Sequence, residues 1–383
     1  MTHRIVVLGA GYAGLSAANR AARQLRSGRV TLVNASDGFV HRVRLHEVGA
    51  GRDLPDLPLA DLTRGTGVEL VVGRVGAIDP AAREVRVDTA DGSLALGYDA
   101  LVYALGSAAD TDAVPGVAEH ADTVAGVADA TAFRARVAAI AGDGGAIAVV
   151  GAGSTGIEAA TELAETHRGL LVRLVSAGEP GDWLSPRARA HLRRVFDRLG
   201  VEVVAGEKVV EVTGDAVVLA DGRRVLADGT LWTTGFRVSP LAEVAGLAVD
   251  ATGRVLVDGT LRSVSHPDVH VVGDAASVRG PGGRELRMAC ATALPMGRQA
   301  ADAIVAGFAG REPRPLRFRY GAQSLSLGRL DGLVQFVRAD DTPHGPILTG
   351  RAAALFKETV MRSTIQLVRH PALYPRIGSS AGQ

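Results

Sequence analysis

The sequence predicts an α/β fold built on parallel sheets, and three observations predict it. A strand-loop-helix-strand pattern near the start of the chain occurs again about one third of the way along. Each copy carries three glycines between its first strand and its helix. Further apolar strands end on glycine or on a carboxylate, as parallel strands do where they present their C-terminal ends to a ligand.

The chain has 383 residues, so it exceeds one ordinary domain and can bury two or three cores. Its 42 Lys+Arg nearly balance 41 Asp+Glu, and only 4% of residues are aromatic. Nucleic-acid surfaces need basic excess and stacking rings, so no nucleic-acid partner is expected. Lys208 and Lys357 are the only lysines, a bias that we read as compositional. Cys290 stands alone, which excludes an intrachain disulfide and a cysteine-rich metal cluster. No run of about 18 apolar residues exists to span a membrane. The first strand starts at Arg4-Ile5 and leaves no room for a targeting peptide, so a cytoplasmic location is expected.

Residues 5–34 align without a gap on 147–176, with 13 of 30 positions identical. In the first copy an apolar strand (Ile5 to Leu8) runs into Gly9, Gly11 and Gly14. An alanine-rich helix follows, then a second strand at Val30 to Val33. The second copy repeats this with Ile147 to Val150, then Gly151, Gly153 and Gly156, and closes on Val172 to Val175. The first glycine of G-x-G-x-x-G permits a tight turn, the second admits a pyrophosphate, and the third packs the helix on the strand. The helix N-terminus then favours the phosphate charge. A single such loop is weak evidence, whereas strand, loop, helix and strand twice in register point to two Rossmann-like dinucleotide-binding domains.

The remaining elements follow in order. Val68 to Asp88 and Val201 to Asp221 alternate as small antiparallel sheets do. Leu101 to Gly106 and Leu231 to Phe236 read as strands ending on glycine, and Val269 to Asp274 as one ending on a carboxylate. Pro295 marks a helix start, with Met296 to Val305 as its body. Residues 310–315 read as a linker to a small C-terminal module. Its segment Gly350 to His370 has apolar residues at partly helical spacing with arginines between them. Packing on the body or at a homodimer interface is preferred there over peripheral membrane contact.

These motifs, with ALG at 104–106 and VVGDA at 271–275, resemble the FAD-dependent pyridine nucleotide oxidoreductases with two dinucleotide-binding domains. GAGYAGLSAA, GAGSTGIEAA, Arg317-Phe-Arg-Tyr-Gly321 and Leu327-Gly328 look nearest to type II NADH dehydrogenases. The resemblance implies a glutathione-reductase-like architecture. A FAD domain (1–112 and 235–310) would hold an inserted NADH or NADPH domain (113–234), followed by the module at 311–383. Gly9, Gly11 and Gly14 would then hold the FAD pyrophosphate, with Arg42 or Arg44 assisting. Asp274 would bond the ribityl or phosphate region, and a helix starting near Ala293 and Leu294 would aim its amides at the flavin. Gly151, Gly153 and Gly156 would cradle NAD(P)H, with Glu158 near the nicotinamide as the catalytic candidate. Tyr12, Ala13, Val75, Ala104, Gly106, Thr155, Gly235 and Gly273 complete the implied cofactor contacts. Hydride would pass from NAD(P)H to FAD, and electrons onward to a quinone-like molecule or a redox protein. Two alternatives stand beside this reading: a redox-sensing protein with little turnover, and a reductase component serving a ferredoxin-like or oxygenase partner.

The sequence departs from the family pattern at several points. The acid that usually holds a ribose is replaced by Asn34 in the first copy and Ser176 in the second. Asn34 can still accept a hydrogen bond. Glu179 argues for NADH, and Arg173, Arg187 and Arg189 argue for NADPH. No redox cysteine follows the first unit, and Cys290 is read as a small core thiol. The AQ-x-x-x-Q pattern of type II NADH dehydrogenases is absent from Ala293-Leu-Pro-Met-Gly-Arg298. The histidines show no metal-ligand spacing, so no metal is assigned. Tyr103 and Trp232 are expected in the core.

Overall fold

The computed structural model describes residues 2–25 and 27–373. Strands without polar alternation must be covered on both faces, and they assemble into two five-stranded parallel sheets. The first sheet runs Val269–Val271, Ala100–Tyr103, His3–Leu8, Gly28–Asn34, Val68–Val72. The second runs Glu202–Ala205, Leu171–Ser176, Ala146–Val150, Gly229–Trp232, Ala121–Asp122. The repeat is visible in the register: Ile5 pairs with Val30 in one sheet, and Ile147 pairs with Val172 in the other. Each sheet has its own apolar core, including Leu15 and Leu101 in the first and Ile157 and Leu231 in the second. Tyr103 and Trp232 are buried in their strands, as expected.

Two stretches differ from the sequence reading. Val68–Val72 and Glu202–Ala205 extend the parallel sheets, while the antiparallel sheets begin only at Arg74–Asp79 and Val209–Val212. Valine-rich alternation gives the same signal for a parallel edge strand as for a hairpin strand. The helix expected at Pro295 begins earlier and spans Cys290–Phe308 with the proline inside it. Near a helix start the missing proline N–H costs little, because the first amides have no intrahelical partner.

Antiparallel pairing of Ser107–Ala109 with Phe236–Val238 joins the crossing points between the two sheets. The C-terminal module is a three-stranded antiparallel sheet (Ala322–Ser326, Gly332–Val337, Pro343–Thr349) and a helix, Gly350–Arg369. That helix buries Ala353, Met361, Thr364 and Val368 and exposes Leu355 and Phe356. No described helix is long and apolar enough to cross a membrane.

The helices Tyr12–Gln24 and Cys290–Phe308 meet at Gly297, where a Cβ would lie 2.0 Å from the Ala13 carbonyl oxygen. Gly297→Val should therefore lower thermal stability sharply, by at least the ~1–3 kcal/mol typical of overpacking. Gly307→Ala, in the same helix, meets nothing within 4 Å. It should leave the melting temperature unchanged or raise it slightly, since alanine costs less helix entropy than glycine.

Candidate active site

The first glycine loop is set by close backbone approach. Gly9 takes φ +93°, and its N–H donates to the Val33 carbonyl at 2.8 Å. A Cβ on Gly14 would lie 1.8 Å from the Gly9 oxygen, so larger residues are excluded there. Gly11 is different, because a Cβ would meet nothing within 4 Å. The protein leaves that approach open for a ligand. The second loop repeats the pattern: Gly151 has φ +105°, Gly156 would clash at 1.7 Å, and Gly153 faces open space.

The helix N-termini of Tyr12–Gln24, Ser154–Thr166 and Cys290–Phe308 each lack both a side-chain cap and an acid in the first turn. Their free amides and positive dipole ends suit anionic groups. The first and third open on one cavity of about 570 Å³. Gly9, Gly11, Tyr12, Ala13 and Asn34 line it at one side, and Val75, Ala104, Gly106, Gly273, Asp274 and Ala293 line it elsewhere. Thr155 reaches the same cavity from the second loop, which brings both loops to one place. Gly153 and Ser154 line a neighbouring cavity of about 580 Å³ with Trp183, Arg287 and Tyr320, where Arg287 stacks 4.8 Å above the Tyr320 ring.

Polar groups in the cavity shared by the two helix ends fit a dinucleotide. Arg42 donates through Nη1 to the Ser107 carbonyl at 2.7 Å, and Asp274 accepts from Ser107 Oγ at 2.7 Å. Arg42 Nη2 is buried with no hydrogen-bond partner among the described residues, as is the Tyr12 hydroxyl. An orphaned guanidinium nitrogen beside a glycine loop is a donor waiting for an anion. The cradle, the open approach at Gly11 and this donor together fit FAD.

Several expected residues are placed differently. Arg44 does not line the cavity. Its side chain is buried and ion-paired with Glu47 at 3.0 Å and Glu358 at 3.1 Å, so it is committed to structure. Leu294 is buried, with its carbonyl accepting from Ser16 Oγ at 3.0 Å. Gly235, at φ +75°, belongs to the sheet-crossing pair and contacts Asp110 rather than either cavity. Asn34 uses its amide oxygen to accept from Ala10 N–H at 2.9 Å, so its first role is to tie the loop to the second strand. Ser176 lines neither cavity, and its carbonyl accepts from Gly206. Arg173 is engaged by Glu202 and the Leu226 carbonyl, and exposed Glu179 pairs with Arg193.

Glu158 is buried under the C-terminal module rather than at the mouth of a loop. Its Oε1 accepts from Ser326 N–H at 2.9 Å and pairs with Lys357 Nζ at 2.9 Å. Lys357 also donates to the Ser324 carbonyl. Cys290, read from sequence as a core thiol, lines the cavity that holds Arg42 and Asp274, at the first turn of its helix. Burial pushes its pKa up, while Lys357 pulls it down. Sequence reasoning therefore missed Lys357 and Cys290. Lys357 had a signal, since a lysine is rare among this chain's arginines.

Removing the orphaned donor tests the assignment of the Arg42 cavity. Arg42→Leu should weaken flavin retention roughly ten-fold, the scale of one hydrogen bond to a charged group. Equilibrium dialysis against free FAD reads this directly, and full retention would remove Arg42 from the site.

Residues 3–298 match the family described as pyridine nucleotide-disulphide oxidoreductase. An NADH dehydrogenase-like protein of Mycobacterium tuberculosis is 32% identical, covering 85% of this chain and 86% of its own length. A type II NADH:quinone oxidoreductase of Staphylococcus epidermidis is 27% identical, with 93% and 94% covered. In fold, the sulfide:quinone oxidoreductase of Aquifex aeolicus superposes with a TM-score of 0.83 at 18% identity, over 98% of this chain and 93% of that one. The chain belongs to the pyridine nucleotide-disulphide oxidoreductase family, as an oxidoreductase that works with FAD and a nicotinamide nucleotide.

Proposed function

We propose that this protein passes electrons from NAD(P)H through FAD to a quinone-like acceptor that takes up protons with its electrons. The carrying observation is the buried Lys357–Glu158 pair, within electrostatic reach of Cys290 at the cavity wall. A cation and a carboxylate held together out of water can hand over and recover a proton, which a purely electron-accepting protein partner would not require. In this reading residues 1–112 and 235–310 bind FAD, 113–234 bind the nucleotide, and 311–383 cover the acceptor side.

Bound FAD supplies the two-electron relay between nucleotide and acceptor. The chain's own residues do the rest. The two open glycine approaches would seat the two pyrophosphates, Arg42 Nη2 would donate to the first of them, and Asp274 orients Ser107 at the cavity wall. The Cys290–Phe308 helix directs its uncapped amides into the same cavity, where they favour negative charge. Arg173 near Ser176 is already engaged by Glu202, whereas Arg189 Nε is buried with no hydrogen-bond partner among the described residues, so either nicotinamide nucleotide fits this reading.

Substitution at the open glycines separates the two half-sites. A Cβ at Gly11 would meet no protein atom within 4 Å, so Gly11→Val should fold yet purify without flavin colour. Gly153→Val should stay yellow but fail to bleach with NADH. Anaerobic absorbance titration with NADH and with NADPH reads both, and a Gly11→Val variant with full flavin overturns the first-loop assignment. Reduction of soluble quinone by the wild type supports the acceptor assignment. Electron delivery to redox proteins alone would overturn it.

A further inference from the structure

On the helix Ser154–Thr166, Glu158 and Glu162 are four residues apart, so they stack on one face about 6 Å apart. Glu165 continues the row. All three are covered by the turn that follows Ser326. Ser326 N–H donates to Glu158, the Arg329 guanidinium to Glu162, and Arg329 N–H to Glu165. A groove of about 550 Å³ runs beside this turn, and both Glu162 and Lys357 line it. Glu47, Arg329 and Glu358 line the same groove and give it polar groups on which water can bind. The groove thus leads from solvent to Lys357, which pairs with Glu158 behind its wall.

A second observation points the same way. His46 is 4% exposed, and its Nε2 has no hydrogen-bond partner among the described residues. It stands within electrostatic reach of Glu158, Glu47, Lys357 and Arg44. Burial lowers its pKa, so the ring is neutral and its unpartnered nitrogen can give or take a proton.

We propose that this groove is a proton inlet, with Glu162 taking protons from water and His46 with the Glu158–Lys357 pair forming its inner end. The inference rests on the quinone-like acceptor proposed above. Two-electron reduction of such an acceptor A balances as NAD(P)H + H⁺ + A → NAD(P)⁺ + AH₂. One proton per turnover therefore comes from water, and the inlet supplies it.

The groups facing Glu162 give it a suitable affinity. Burial first, then Glu47 and Glu165, push its pKa up to about 8, against the pull of Arg52, while Glu158 adds to the rise. Arg329 contacts Oε1 and leaves Oε2 for the proton. The Arg329 guanidinium opposes this rise, and Glu162 releases its proton above the ordinary carboxylate range, toward about 8. Turnover with a quinone should fall over that range.

The test compares wild type with Glu162→Gln and Glu162→Asp, using a soluble naphthoquinone and ferricyanide, which takes electrons without protons. Glu162→Gln should lower the quinone-to-ferricyanide turnover ratio about ten-fold, a modest share of general acid–base catalysis, and Glu162→Asp should restore part of it. The solvent deuterium isotope effect on quinone turnover should grow in the Gln variant. Infrared titration of flavin-free protein should show a protonated carboxyl band disappearing near pH 8 in wild type and missing from Glu162→Gln. An unchanged ratio, or a carboxyl that ionises in the ordinary range, overturns the inlet. Wild type that reduces ferricyanide but no quinone overturns the acceptor reading instead, and the infrared titration still decides whether Glu162 holds the proton.

Discussion

The site depends on backbone approaching backbone. The helix of the first glycine loop and the helix from Cys290 to Phe308 touch where Gly297 lies against the Ala13 carbonyl, too close for any side chain. Gly14 against Gly9 sets the same helix on its strand, and Gly156 against Gly151 does so in the second sheet. These contacts aim two uncapped helix ends at one cavity and bring a third alongside. The favourable field for phosphates and for a reduced flavin follows from that geometry rather than from an excess of basic side chains.

Charge is used sparingly and in matched pairs. In the cavity beside the first glycine loop Arg42 and Asp274 share Ser107, leaving one guanidinium nitrogen for a ligand. On the far side of the second helix, carboxylates on one face meet Lys357, Arg329 and backbone N–H groups of the C-terminal module. Burying an ion pair is costly unless its hydrogen bonds are satisfied, and removing one partner strands the other. The module is therefore held to the second parallel-sheet unit by buried ion pairs and backbone hydrogen bonds. A cover that was only structural would be met more cheaply by apolar packing.

The mixture of conserved-looking loops and altered side chains explains how the chain keeps the family fold while changing its contacts. Asn34 replaces an acid and ties its own loop to the neighbouring strand. Arg44 turns away from the cavity because Glu47 and Glu358 hold it. Cys290 occupies the start of a cavity-lining helix as an unpaired thiol, and a dithiol relay within the chain is excluded by its being alone.

By itself the sequence determined the two βαβ units, the loops between them and the cavity-facing glycines, because 3.6- and two-residue periodicities and glycine spacing are local properties. The burial of Tyr103 and Trp232 was legible for the same reason. Tertiary structure alone decided which polar side chains meet. Glu158 lies 199 positions before Lys357, and their pairing depends on how a C-terminal helix folds back over the second domain. Cys290 reached the cavity because its helix starts ahead of Pro295, a boundary that capping signals did not mark. Long-range contacts between charged side chains leave no periodic trace along a chain, and so the electrostatics of the site had to await the fold.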